Sequence, residues 1–341
     1  MNQWKIFPDL DTLQKMLSIP PVNTGSQRFL TGPSGIVKDD IEGLHAYSNE
    51  AGRLHIISGV EVQDFLYRGQ IEEKLPCVPT LNRIDTLEGR FLALCRGVAF
   101  EEALEVHPFV KKAKQAGIHV DIEGLAQHYG LPTDMLDITG SFAVASFFAT
   151  SRWDTESGRY LPVGDNATLG VIYRVTACIL EDRQPESLHL VGWQPLTRPE
   201  QQRAFAIRMK PGQDFVHEIF TTERAYFKQS AAISHRIWKE FDEGRALFPN
   251  DPAAQLSKQA QYLMEFTEIQ MARAWSRFEA WECKQYTPEQ CAALEVSCGI
   301  TVRSSTALTW NHLDVETRDD QLNHMIEDVL KRVRYRRAMY L

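Results

Sequence analysis

Gln127-His128-Tyr129-Gly130-Leu131-Pro132-Thr133 leads through Leu136-Asp137-Ile138-Thr139 into an apolar run over 142–149. Polar side chains, a Gly-Leu-Pro turn and a carboxylate stand directly before a segment that must be buried. Buried polar groups are costly unless each finds a partner, so this density points to a site. The plainer alternative makes His128 and Asp137 satisfied hydrogen-bonders of an ordinary core. Thr139 and Ser141 are both candidates to N-cap the next helix, expected at about 141–151. That helix is apolar nearly all round, which predicts burial. Upstream, Ile122, Leu125 and Ala126 belong to a helix that ends at Gly130, a residue suited to the C-cap.

Working outward, the pieces LHIISGV and FLYRGQ read as short strands. Residues 85–116 read as helical, because Leu87, Phe91, Leu94 and Val98 recur at three- and four-residue spacing. The polar stretch 154–166 reads as a surface loop. GVIYRV at 170–175 is rich in β-formers and reads as a core strand. A second β-rich piece covers 204–209 and is closed by Pro211-Gly212. From about 221 onward the pattern turns helical. Leu263, Met271, Ala274, Phe278 and Trp281 share one side of a helical wheel, and Leu322, Ile326, Val329 and Val333 repeat the signal. Strand material over 55–220 followed by helices is an α+β layout.

The 341 residues are ample for a real core, and 43% hydrophobic with 24% charged content is ordinary for a globular protein. A net charge of -8 argues against a surface that binds nucleic acid or membrane throughout. The basic end, with Lys331, Arg332, Arg334, Arg336 and Arg337, reads first as compensation of a helix dipole and second as a phosphate-binding tail. Cys77, Cys95, Cys178, Cys283, Cys291 and Cys298 form no CxxC pair, so reduced, mostly buried thiols are expected. The N-terminus lacks a basic-then-apolar leader, and FAVASFFA falls far short of the roughly 20 residues a membrane span needs. The expectation is a cytoplasmic protein without a membrane partner, in which the Asn166-Ala167-Thr168 sequon is chance.

Tyr67-Arg68-Gly69-Gln70 resembles the Phe-Arg-Gly signature of the FRG domain, with Tyr in place of Phe. QHYGLPTDMLDITGSFAVASFFA resembles that family's second block, TRPEQQRAFAIRM its third, and LFPN at 247–250 a later piece. The resemblance spans about 65–260 and divides the chain into an N-terminal extension (1–55), an FRG domain (56–255) and a helical C-terminal region (256–341). Asp134, Met135 and Ile138 depart from the family's usual Arg, Leu and Trp, which puts in doubt any anion contact that the Arg would make. The block order is also similar to that of ADP-ribosyltransferase folds. That likeness implies a split β-sheet core with flanking helices, and NAD as a substrate cleaved at its nicotinamide–ribose bond without a metal. The products would be an ADP-ribosylated macromolecule or a hydrolysed nucleotide, and toxicity or phage defence would suit such chemistry.

On this resemblance Arg68 binds phosphate, since a guanidinium does so bidentately, although a salt bridge bracing its strand serves equally. Gly69 admits close backbone approach to a ligand, or a turn. His128 donates to a ribose hydroxyl or phosphate and Tyr129 stacks on a base; a capped helix end and core packing are the alternatives. Thr133 and Asp137 hold the loop in shape. Gln201, with Glu200 beside it, stands where such folds place a late-strand Glu or Gln. Tyr67, Gln127 and Thr139 complete the expected nucleotide-facing set.

Rival chemistries are weaker. A hydrolase built from Ser141 or Ser146 with His128 and Asp137 lacks a G-x-S-x-G elbow, and neither GxGxxG nor GxxxxGK occurs. A metal site of His128, Asp137 and a Cys has no supporting spacing. The serious alternative is a non-catalytic nucleotide- or protein-binding module, with Trp275, Trp281 and Trp310 as anchors for a partner.

Overall fold

The two-residue period of a strand along Phe65–Gln70 sends Leu66 to one face of a sheet and Tyr67 and Gly69 to the other. The same period along Leu169–Thr176 separates Val171, Tyr173 and Val175 from Ile172. The computed structural model describes residues 6–17, 43–48, 51–59, 65–165, 168–177, 187–218, 223–249, 251–310 and 319–335. Cys178, Asn166, Ala167, Asn250, Arg336 and Arg337 lie outside the described residues.

The main sheet has seven strands, in the order Ile6–Phe7, Glu223–Lys228, Leu169–Thr176, Phe65–Gln70, Met135–Thr139, Ala204–Arg208 and Leu188–His189. Its pairs are antiparallel except for Ile6–Phe7 beside Glu223–Lys228. Phe65–Gln70 is laddered along its length to residues 171–176, and Met135–Thr139 along its length to Ala204–Arg208. Between these two halves only Tyr67 opposite Thr139 is paired among the described residues. The sheet is therefore split, and a wedge opens where residues 68–70 draw away from 135–138.

The helix Phe142–Thr150 covers one face at that split, with Val144, Ala145 and Phe147 buried against Ile172 and Phe227. Of the two candidate caps, Ser141 serves: its Oγ accepts from the Val144 N–H at 3.3 Å. The expected helix at 85–116 is two helices, Leu87–Val106 and Pro108–Gln115, broken at His107-Pro108 because proline lacks the N–H a continuing helix needs. Phe91 and Val98 bury against Met271, Ala274 and Phe278 of the helix Glu268–Glu282. Further along the same helix, Phe100 and Leu104 share a core with Ile326 and Val329 of Asp319–Arg332. The molecule is α+β, with helices from the C-terminal third packed directly on those of the middle of the chain.

Three expectations need correction. The polar stretch 154–166 is not a plain loop: Ser151–Asp154 and Arg159–Pro162 pair as a hairpin that carries Tyr160 inward. The chain beyond 221 is not helical throughout, because Glu223–Lys228 pairs with Leu169–Thr176 and joins the main sheet. Val333 is buried as expected, yet it starts a strand, Val333–Tyr335, parallel to Gly43–Ser48. No helix among the described residues is long and apolar enough to cross a membrane.

One junction has a pH signature. His55, on Leu54–Gly59, stacks on His119 with ring centroids 4.0 Å apart. Burial, and then the charge of His119, press His55 down to about 4; burial also lowers His119. Above the unfolded value near 6.5 both states hold neutral rings. Below it the unfolded chain takes up protons that the folded chain refuses, so stability drains between pH 6.5 and about 4. With His55 only partly buried, the loss should be on the order of 1–2 kcal/mol. Denaturant midpoints at pH 7 and pH 4.5, compared with those of His55→Phe, measure it; the variant should show the shallower pH dependence.

Candidate functional site

The wedge in the sheet is a cleft of about 210 Å³ lined by residues of six separate segments. Tyr67, Arg68 and Gly69 come from one half of the sheet, and Asp137, Ile138 and Thr139 from the other. His128, at the end of the helix Ile122–His128, closes one side; Phe148 and Tyr160 close another. The sixth contribution is Gln202.

At the split, Arg68 takes the place of a missing ladder bond. Its Nη1 donates to the Asp137 carbonyl at 2.7 Å. Its Nε is buried and without a hydrogen-bond partner among the described residues. Arg68 thus braces the strand through a carbonyl rather than the expected salt bridge, and keeps one orphan donor in a cleft wall. Gly69 has a different job from ligand approach. A Cβ there would lie 1.8 Å from the Ala145 carbonyl oxygen, so glycine is what lets the strand and the helix Phe142–Thr150 touch.

His128 is held in one tautomer. Gln202 Nε2 donates to the Leu247 carbonyl at 3.0 Å, which leaves Gln202 Oε1 to accept from His128 Nδ1–H at 2.9 Å. The neutral ring therefore carries its lone pair on Nε2. That atom is buried, lacks a hydrogen-bond partner among the described residues, and faces Asp137 Oδ1 at 3.8 Å. Asp137 Oδ1 is likewise buried and unpartnered there. Two acceptors set side by side suit a ligand that brings neighbouring donors. Burial, and then the negative charge of Asp137, push the nearby Tyr160 hydroxyl up to about 12, so it stays protonated at neutral pH.

Thr139 fastens the corner: its Oγ1 donates to the Gln202 carbonyl at 2.7 Å and accepts from the Ser141 N–H at 3.0 Å. Thr133 Oγ1 donates to Gln127 Oε1 and accepts from the Met135 N–H, bracing the loop as expected. Gln127 and Thr133 do not line the cleft. Nor does Tyr129, which is buried with its hydroxyl donating to Asp251 at 2.6 Å and the Arg198 guanidinium over its ring. Its expected stacking on a base gives way to core packing.

Gln201 and Glu200 are also displaced from their expected place. They sit on a short helix, Arg198–Gln201, and Gln201 is exposed. The residue that reaches the cleft is Gln202, 7% exposed. Sequence reasoning missed it because the helical turn adds a residue before the strand, with Arg203 at φ 46 making the exit. Tyr160 was missed because the stretch 154–166 reads as a loop. The serine alternatives fall away: Ser141 is a cap, and Ser146 Oγ donates to the Phe142 carbonyl. Among the described residues no cluster of His, Cys, Asp and Glu is arranged to hold a metal.

Gln201→Ala should change nothing measurable, within about 0.5 kcal/mol of stability. Gln202→Ala should free the His128 ring and lower any activity of the cleft by roughly tenfold or more. Equal effects from the two variants in thermal unfolding and ligand binding would sink this assignment.

No curated protein and no solved structure matches the chain. The family model of the FRG domain does match, over residues 63–157. The matched span carries Arg68, His128 and Asp137 and stops short of Tyr160 and Gln202. Residues 63–157 of this chain are an FRG domain, and the cleft lies where that domain meets the later hairpin and strand.

Proposed function

We propose that the cleft binds the ribose–nicotinamide end of NAD and breaks the bond between them. The observation that carries the reading is the pair of unpartnered acceptors, His128 Nε2 and Asp137 Oδ1, in a split sheet. A ribose presents two neighbouring hydroxyl donors, a match to two neighbouring acceptors. At about 210 Å³ the cleft takes a sugar and the ring attached to it, leaving the rest of a dinucleotide outside. The split between two halves of the sheet also resembles the ADP-ribosyltransferase architecture that the block order suggests, a likeness of fold level.

In this chemistry the C1′–N bond breaks and its electron pair leaves on nicotinamide. Positive charge grows on C1′ and its ring oxygen. Asp137 is the sole carboxylate among the lining residues, and it stabilises that charge as the bond stretches. Water or a macromolecular nucleophile then bonds to C1′ and passes its proton to solvent, while His128, its ring oriented by Gln202, holds the ribose hydroxyl in place. Arg68 holds the Asp137 backbone in place and offers its Nε–H to an oxygen of the substrate. Toxicity or defence would follow from depletion of NAD or modification of a target.

Incubation of the full chain with NAD, with nicotinamide followed by chromatography, tests the reading. Release that falls in His128→Ala supports the enzyme. NAD binding without release would favour the nucleotide-binding module, and absence of both would remove NAD from consideration.

A further inference from the structure

A second cavity, of about 400 Å³, lies at the other end of the strand pair that forms one wall of the cleft. Ala204 pairs with Thr139 beside the cleft, whereas Arg208 pairs with Met135 beside this cavity. The helix Glu268–Glu282 supplies Arg277, Ala280 and Trp281, so the seam between the FRG domain and the C-terminal helices encloses it.

The guanidiniums of its wall are already paired, and Lys210, which also lines it, is exposed. Glu101 accepts from both Arg277 terminal nitrogens, at 2.6 and 2.7 Å, and Arg277 reaches Glu123 at 3.0 Å. Arg208 is fully engaged: Nη1 with Asp134 at 2.9 Å, Nη2 with Glu123, and Nε with His189 at 3.1 Å. An anion entering here would have to break these pairs, which disfavours phosphate and carboxylate ligands. Asp134, where FRG domains usually carry Arg, adds a third carboxylate beside the two guanidiniums.

Two further features point to a ligand. The Trp281 indole N–H is buried yet finds no acceptor among the described residues. Gly97 stands mid-helix in Leu87–Val106, where alanine is the better residue. Although Gly97 is itself buried, a Cβ there would meet nothing within 4 Å. The helix thus keeps a glycine that packing does not require, at a point that borders the cavity.

We propose that this cavity binds a flat, uncharged heteroaromatic ring of the nucleobase class. The apolar surfaces of Leu81, Leu94, Met209 and Trp281 cover its faces, a ring nitrogen or carbonyl accepts from Trp281 Nε1, and an amino group donates to Asp134. The volume falls within the range usual for small-molecule sites.

Calorimetric titration of the full chain with adenosine, cytidine, guanosine and uridine in turn is the test. At least one nucleoside should bind, roughly tenfold more weakly to Trp281→Phe, which keeps the ring and loses the donor. Gly97→Leu projects a bulky side chain into the cavity and should abolish binding. Gly97→Ala should raise the melting temperature by roughly 1–3 °C while weakening binding several-fold, a combination that general damage does not produce. Arg68→Ala, which alters the cleft, should leave nucleoside affinity unchanged, so this site and the NAD reading fail separately. The proposal is overturned if no nucleoside binds, if inorganic phosphate competes, or if binding survives both Gly97 substitutions. Loss of binding in Arg68→Ala would overturn it too.

Discussion

Asp137→Asn should slow nicotinamide release from NAD by about a hundred- to a thousandfold, with KM changed far less than kcat. The carboxylate is asked to act on charge that exists only as the glycosidic bond breaks. Asparagine keeps the size and the carbonyl-type oxygen but carries no charge. The contact that braces the split is untouched, because Arg68 donates to the backbone carbonyl of Asp137 and not to its side chain. A folded variant that retains a third or more of the wild-type kcat would remove Asp137 from the chemistry. An effect confined to KM would make it a binding group only.

Gly69→Ala should cost about 3 kcal/mol or more of folding stability, read from urea unfolding. The added methyl would meet the Ala145 carbonyl oxygen at 1.8 Å, its carbon at 2.8 Å and the Ala149 nitrogen at 2.9 Å. These are helix backbone atoms and cannot rotate aside as a side chain would. The helix Phe142–Thr150 must then lift from the sheet, opening the core around Phe147 and Ile172. Because Ala145 and Phe148 also line the cleft, ligand binding should fall with stability. A loss below 1 kcal/mol would mean that strand and helix are not in contact there.

Local chemistry explains which parts of this arrangement could be read ahead of the structure. The Ser141 cap, the strand at Phe65–Gln70 and the helix beginning at Phe142 depend on neighbours in sequence, and propensity and period find such features. Glu223–Lys228 alternates only weakly, with Tyr226 hydrogen-bonded to Glu73 across the sheet surface, so its strand character comes from its partners. Arg68, His128 and Asp137 were legible as a group because they fall in motif blocks. Gln202 was not, since one residue of helical turn decides whether it or Gln201 faces inward. The proximity of His128 Nε2 to Asp137 Oδ1 is set by the angle between a helix end and a strand, which no spacing rule encodes. The role of Gly69 was open in sequence for the same reason: only packing tells a glycine that admits a helix from one that admits a ligand.

The contact between Glu101 and Arg277 joins the middle of the chain to its C-terminal third, with Glu101 side-chain exposure of 3%. Its burial raises the Glu101 carboxyl while the guanidinium opposes the shift. The C-terminal helices are thereby fixed to the FRG domain by a pair whose carboxylate is desolvated, so that removing Arg277 would leave a buried charge unpaired.

A crystal structure of the full chain with an NAD analogue whose nicotinamide–ribose bond cannot be cleaved tests the wedge most directly. Ribose hydroxyls within hydrogen-bond distance of His128 Nε2 and Asp137 Oδ1, with Gln202 still holding the imidazole, are the predicted result. A nucleotide seated elsewhere, or those two atoms left facing each other in a chain shown to bind the analogue, would contradict it.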